Sequence, residues 1–98
     1  MSATITLQEL KQLKQPYVKI IDIRSQQEFL KGHAPDAVNI PYDVLMMYPE
    51  SYLKRDETYY LICDYGSISH RASVILQSYG YQVFGVKNGY QVDMRYYC

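Results

Sequence analysis

Apolar and polar positions along this chain alternate between long apolar runs and stretches of helical period. Tyr17-Val18-Lys19-Ile20-Ile21-Asp22-Ile23 is nearly continuous and apolar. A run without alternation predicts a strand covered on both faces. Thr58-Tyr59-Tyr60-Leu61-Ile62 predicts a second buried strand, and Gln82-Val83-Phe84-Gly85-Val86 the last one. Ala37-Val38-Asn39-Ile40 predicts a shorter strand, stopped by Pro41 because proline cannot donate to a ladder.

Helical signals fill the gaps. Thr6-Leu7-Gln8-Glu9 and Ser25-Gln26-Gln27-Glu28 match the capping-box pattern, in which hydroxyl and carboxyl satisfy the first orphan N–H groups. The first opens a helix with Leu7, Leu10 and Leu13 on one face, ending near Pro16; the second opens about two turns, closed by Gly32. Residues 42–47 predict a helix with Val44, Leu45 and Met46 available for burial, and Pro49 to Glu57 reads as a polar connection. Ser69 to Tyr79 is amphipathic, with Ala72, Ile75, Leu76 and Tyr79 on one face and Gly80 at its end. Asn88-Gly89 then turns the chain into a final short helix. Strands alternating with helices imply right-handed crossovers. The expected fold class is α/β: one domain over residues 1–98, with about five mainly parallel strands and helices on both faces.

Composition narrows the function classes. Ninety-eight residues suit one domain, and ten basic side chains balance ten acidic ones. That balance gives no electrostatic footprint for nucleic acid or a membrane surface. The first residues, Met1-Ser2-Ala3-Thr4, lack the basic, apolar and small-residue succession of a signal peptide, and no apolar run approaches a membrane span. A cytoplasmic protein is expected, with Cys63 and Cys98 as free thiols in a reducing compartment.

Cys63 carries the candidate chemistry. It closes a predicted strand, and Asp64-Tyr65-Gly66-Ser67-Ile68 separates it from the helix that follows. A thiol placed there faces a ring of main-chain N–H groups and the positive end of a helix dipole, and both stabilise an anionic sulfur. The plain alternative is a small buried cysteine that only ends a core strand. Gly66 in the loop and the helix directly after it favour the reactive reading.

Three stretches carry a family resemblance. They are Ile20-Ile21-Asp22-Ile23-Arg24 with Glu28-Phe29; Gly32-His33-Ala34-Pro35-Asp36-Ala37-Val38-Asn39-Ile40-Pro41; and Cys63 through Ile68. In that order they resemble the rhodanese-like domain, over essentially all of the chain from Thr4 to Tyr97. Asn88-Gly89-Tyr90 stands where that family usually has a paired-glycine turn. The resemblance implies a sulfurtransferase in which the Cys63 thiolate attacks the outer sulfur of a donor, becomes a persulfide, and yields that sulfur to a nucleophilic acceptor. The amides of Asp64, Tyr65, Gly66, Ser67, Ile68 and Ser69 would then point toward the bound sulfur, and Gly66 would let the loop curl. Neither a metal nor another cofactor is called for. The partners implied are a small sulfur donor or a persulfidated protein, with a protein as acceptor.

Other polar residues read as support. Asp22 and Arg24 sit at the C-terminal end of a central strand, where open α/β sheets place their sites, but a buried ion pair of Arg24 with Glu28 or Asp22 is the favoured role. His33 reads as a satisfied structural histidine, Arg71 as a packing or salt-bridge residue, and His70 as solvated. The resembled family commonly carries arginine after the cysteine and a basic or hydroxyl residue at the end of the loop; here stand Asp64 and Ile68. An acid beside the thiolate repels a dianion. A protein persulfide or a small neutral persulfide therefore fits better than thiosulfate, with Asp64 as a contact to a basic partner.

Two rival functions stay open. A cysteine phosphatase requires arginine six residues after the cysteine to grip a phosphate; that place holds Ser69, and Arg71 lies two residues too far. A catalytically weak or inactive rhodanese-like binding module is the other, kept open by Asp64, Ile68 and twelve tyrosines, and disfavoured by the cysteine itself.

Overall fold

The computed structural model describes residues 3–13 and 18–90. In chain order the elements are β1 (Thr4–Ile5), α1 (Leu7–Lys11), β2 (Lys19–Asp22), α2 (Gln26–Lys31), β3 (Val38–Asn39), α3 (Tyr42–Met47), α4 (Pro49–Tyr52), β4 (Thr58–Ile62), α5 (Ser67–Ser78) and β5 (Gln82–Val86). All strand pairs are parallel, in the order β1-β5-β4-β2-β3. The two unalternating apolar runs thus lie side by side: Ile20 pairs with Tyr60, Ile21 with Leu61 and Asp22 with Ile62.

Strand side chains alternate between faces, so each central strand feeds two cores. On one face Ile21, Tyr59, Leu61 and Val83 pack with Leu45 of α3, Leu53, and Ala72 and Leu76 of α5. On the other, Ile20, Ile62 and Val86 pack with Leu10 of α1 and Ala34. Leu61, Ile62, Leu76, Val83 and Val86 are fully buried, each contributing about 1.5–3 kcal/mol of transfer free energy. Helices therefore cover both faces, and the sheet is wholly parallel. Among the described residues no helix is long and apolar enough to cross a membrane.

Several elements differ from expectation. The sheet gains β1, whose two residues pair with Gly85 and Val86; two residues are too few to show any period. The capping box at Thr6 forms in full, but α1 stops at Lys11 with Gln12 as its cap, short of Pro16. At Ser25 only half of the second box forms: its hydroxyl accepts from the Glu28 N–H at 3.3 Å, while the Glu28 carboxylate turns to Lys31. What read as a polar connection contains α4, where buried Pro49 supplies a first-turn residue already set to a helical φ.

The helix α5 begins two residues before Ser69, and its buried stripe is Ser69, Ala72, Ser73 and Leu76. Tyr79 is exposed rather than packed, as is Val44 of α3. Two serines on the buried side let α5 lie close to the sheet, and Gly85 completes that approach: a Cβ there would stand 2.9 Å from the Ser69 carbonyl. The short helix expected after Asn88-Gly89 lies outside the described residues, as does Cys98.

Candidate active site

Cys63 follows β4, the middle strand of the sheet, and is 4% exposed. Three residues later Gly66 adopts φ +94° and caps α5. Its missing side chain matters twice, because φ is left-handed and a Cβ would stand 2.7 Å from the Asn88 nitrogen. This curl brings the chain back over the sulfur. The Gly66 N–H donates to Cys63 Sγ at 3.0 Å and the Ser69 N–H at 3.3 Å.

Ser69 is the third residue of α5, whose N–H usually takes a capping oxygen. Here sulfur fills that place, at the positive end of a twelve-residue helix. An anionic sulfur is favoured by both donors and by the dipole.

Of the six loop amides expected to face the sulfur, those of Gly66 and Ser69 lie within hydrogen-bonding distance of Sγ. The side chains of Asp64, Tyr65, Ser67 and Ile68 are exposed around it, Tyr65 at 86%. Ser69 brings a second polar atom that sequence reasoning missed: its Oγ lies 3.3 Å from Sγ. Its signal was a hydroxyl at a position counted only for its amide. A cavity of about 470 Å³ opens beside β2, β3 and α4, lined by residues that include Val18, Ile21, Val38, Tyr52 and Tyr59. No residue of the loop from Cys63 to Ser69 lines it.

The turn after β5 supports the loop from behind. Asn88 has φ +68° and Gly89 φ +72°, so asparagine, the side chain most tolerant of this region, takes the first place of a turn built for glycine. A Cβ on Gly89 would overlap the carbonyls of Cys63 and Asp64. The Tyr90 N–H donates to the Cys63 carbonyl at 2.7 Å.

Asp22 and Arg24 form a buried pair, with Nη2 2.6 Å and Nε 2.9 Å from the carboxylate oxygens. Arg24 also donates to the Gly32 carbonyl at 2.7 Å, and its guanidinium lies 4.1 Å from the centre of the Tyr90 ring. Burial opposes the Arg24 charge, but Asp22, Asp64 and Tyr90 outweigh it and raise its pKa. The partner of Arg24 is Asp22, not Glu28; Glu28 pairs with Lys31 at 3.1 Å. His33 donates from Nδ1 to the Phe29 carbonyl at 2.9 Å and stacks on the Phe29 ring. His70 and Arg71 are exposed, and Arg71 makes no ion pair among the described residues, contrary to expectation.

The strand, sulfur loop and helix have known relatives. Residues 6–92 match the family model of the rhodanese-like domain, and the chain belongs to that family. The crystal structure of SSP1007 from Staphylococcus saprophyticus is 34% identical with a TM-score of 0.81, covering 91% of this chain and 89% of that one. A rhodanese-like domain protein from Staphylococcus aureus is 31% identical with a TM-score of 0.79, covering 91% and 87%. A curated relative, "Adenylyltransferase and sulfurtransferase uba4" from Ogataea parapolymorpha, is 27% identical over 78 residues, or 80% of this chain. The chain spans 20% of the length of that relative.

Proposed function

We propose that this rhodanese-like domain is a sulfurtransferase carrying sulfane sulfur as a persulfide on Cys63. The observation that carries the reading is the buried Cys63 sulfur held by the Gly66 and Ser69 N–H groups at a helix N-terminus. In the first half-reaction the thiolate attacks the outer sulfur of a donor persulfide. An S–S bond forms to Cys63, the donor's S–S bond breaks, and the donor leaves as a thiolate. In the second, an acceptor thiolate attacks that outer sulfur and Cys63 leaves as a thiolate, so the cycle needs neither oxidant nor reductant. Oriented main-chain dipoles lower the cost of the anionic sulfur at both stages.

The donor in this reading is a protein persulfide or a small neutral persulfide, and the acceptor a protein thiol with a basic surface facing Asp64. Such a cycle fits a reducing compartment, which for this protein is taken to be the cytoplasm. Residues 1–98 act in it as one domain, and the Asp22–Arg24 pair and His33 serve as support. Mass spectrometry of protein recovered from cells tests the reading: a +32 Da adduct on Cys63 supports it. Persistently unmodified Cys63 supports a binding module instead. Loading that survives Cys63→Ser and is lost in Cys98→Ser would assign the chemistry to the other thiol.

A further inference from the structure

Two main-chain donors and one side-chain hydroxyl surround the Cys63 sulfur, and the hydroxyl can turn. The Gly66 and Ser69 N–H groups are set by the main chain. Ser69 Oγ lies 3.3 Å from Sγ and 3.2 Å from the Gly66 carbonyl oxygen. A carbonyl only accepts, so the Ser69 hydroxyl donates to Gly66 and the Cys63 S–H donates to the Ser69 oxygen. That pattern describes the neutral thiol. A thiolate has no proton to donate, and its charge rewards any O–H that rotates onto it.

We propose that the Ser69 hydroxyl is a rotating donor that swings from the Gly66 carbonyl to the Cys63 sulfur when the thiol ionises. The thiol proton leaves to water, while the hydroxyl proton stays on its own oxygen and changes only its partner. No bond to Oγ is made or broken. The Gly66 carbonyl is not stranded by the change, because it also accepts the His70 N–H at 3.1 Å. Ser69 is fully buried and Cys63 nearly so, and bulk water offers little substitute for the missing donor. The inference rests on the proposed function for its place in sulfur transfer, since both half-reactions pass through the Cys63 thiolate.

Alkylation by iodoacetamide, followed against pH in a Cys98→Ser background, reads the Cys63 thiolate alone. The titratable and charged residues of the loop and the elements around it are Asp64 and Tyr65 in the loop, Asp22 and Arg24 at the end of β2, His70 and Arg71 on α5, and Lys87 and Tyr90 in the turn after β5. They are common to all variants and cancel in the comparison. In Ser69→Ala the midpoint of the profile is expected to rise by about one pH unit. The rate below both midpoints then falls about tenfold, with the high-pH plateau within about twofold, since one unit is a factor of ten in thiolate fraction.

Ser69→Thr, which keeps the hydroxyl, should restore the midpoint. An unmoved midpoint in folded Ser69→Ala, or an equal displacement in Ser69→Thr, overturns the proposal. Should Ser69→Ala fail to fold, Ser69→Thr and Ser69→Val have nearly one shape and differ in the hydroxyl; equal midpoints in that pair overturn it too. Persulfide loading is scored separately. A protein whose midpoint moves as expected but which never takes up sulfur refutes the sulfurtransferase reading and leaves the rotating hydroxyl standing.

Discussion

The Tyr90 N–H donates to the Cys63 carbonyl at 2.7 Å, so the turn after β5 holds the loop that begins at Cys63 in place. Gly89, one residue earlier, presses on the carbonyls of Cys63 and Asp64 with no room for a side chain. The geometry of the sulfur site is therefore set by two loops that lie more than twenty residues apart in sequence.

Gly89→Ala is expected to lower stability by about 2 kcal/mol or more, from a left-handed φ combined with backbone overlap. Alkylation of Cys63 should change with it, because the loop must shift. Asn88→Gly serves as the control: φ is left-handed there as well, and glycine adopts it freely, so stability stays within about 1 kcal/mol. Urea unfolding of both variants checks this, and equal losses would disprove it.

Arg24→Leu leaves the Asp22 carboxylate buried without its cation, for an expected loss of about 3–5 kcal/mol. Replacing Asp22 by leucine as well should recover much of that loss, since the stranded charge goes with it. A double variant no more stable than Arg24→Leu, judged by urea midpoints, would show that packing around Gly32 and Tyr90 matters more than charge.

Tyr60 contributes a pH dependence with a definite sign. Burial raises its phenol pKa above the ordinary value near 10. Its stabilising share is complete below that ordinary value and is lost as pH rises through the folded-state value, because the unfolded chain gives up the proton first. Tyr60→Phe removes the proton and keeps the ring stacked on Phe84. Unfolding measured from pH 8 to 11 should show wild type losing ground to the variant as pH climbs, and parallel curves would contradict this.

Asp64→Arg should raise sulfur transfer from thiosulfate to cyanide by about tenfold at low salt, as an exposed acid beside the sulfur becomes a cation facing the dianion. The gap should narrow as ionic strength rises. Strong wild-type turnover with no gain in the variant would mean that the loop amides alone choose the donor.

Local physics made a large part of this protein legible in its sequence. Lys19–Asp22 and Tyr59–Ile62 pair at the middle of a parallel sheet because the largely apolar runs they belong to must be covered on both faces. The capping box at Thr6 formed because its donors and acceptors lie within one turn. Gly66 after Cys63 marked the curl that folds the chain over the sulfur, since few other residues take φ +94°. Other features left no local trace. The two-residue β1 exists only through its pairing with β5. Arg24 had two acids within reach in sequence, and the buried end of β2 chose Asp22. The stacking of Arg24 on Tyr90, the grip of Tyr90 on Cys63 and the Ser69 hydroxyl beside the sulfur each join residues brought together by the sheet order or the loop's curl. Periodicity and capping reach about one turn along the chain, while the contacts of Tyr90 depend on which strands become neighbours, and that is decided by burying the whole sheet at once.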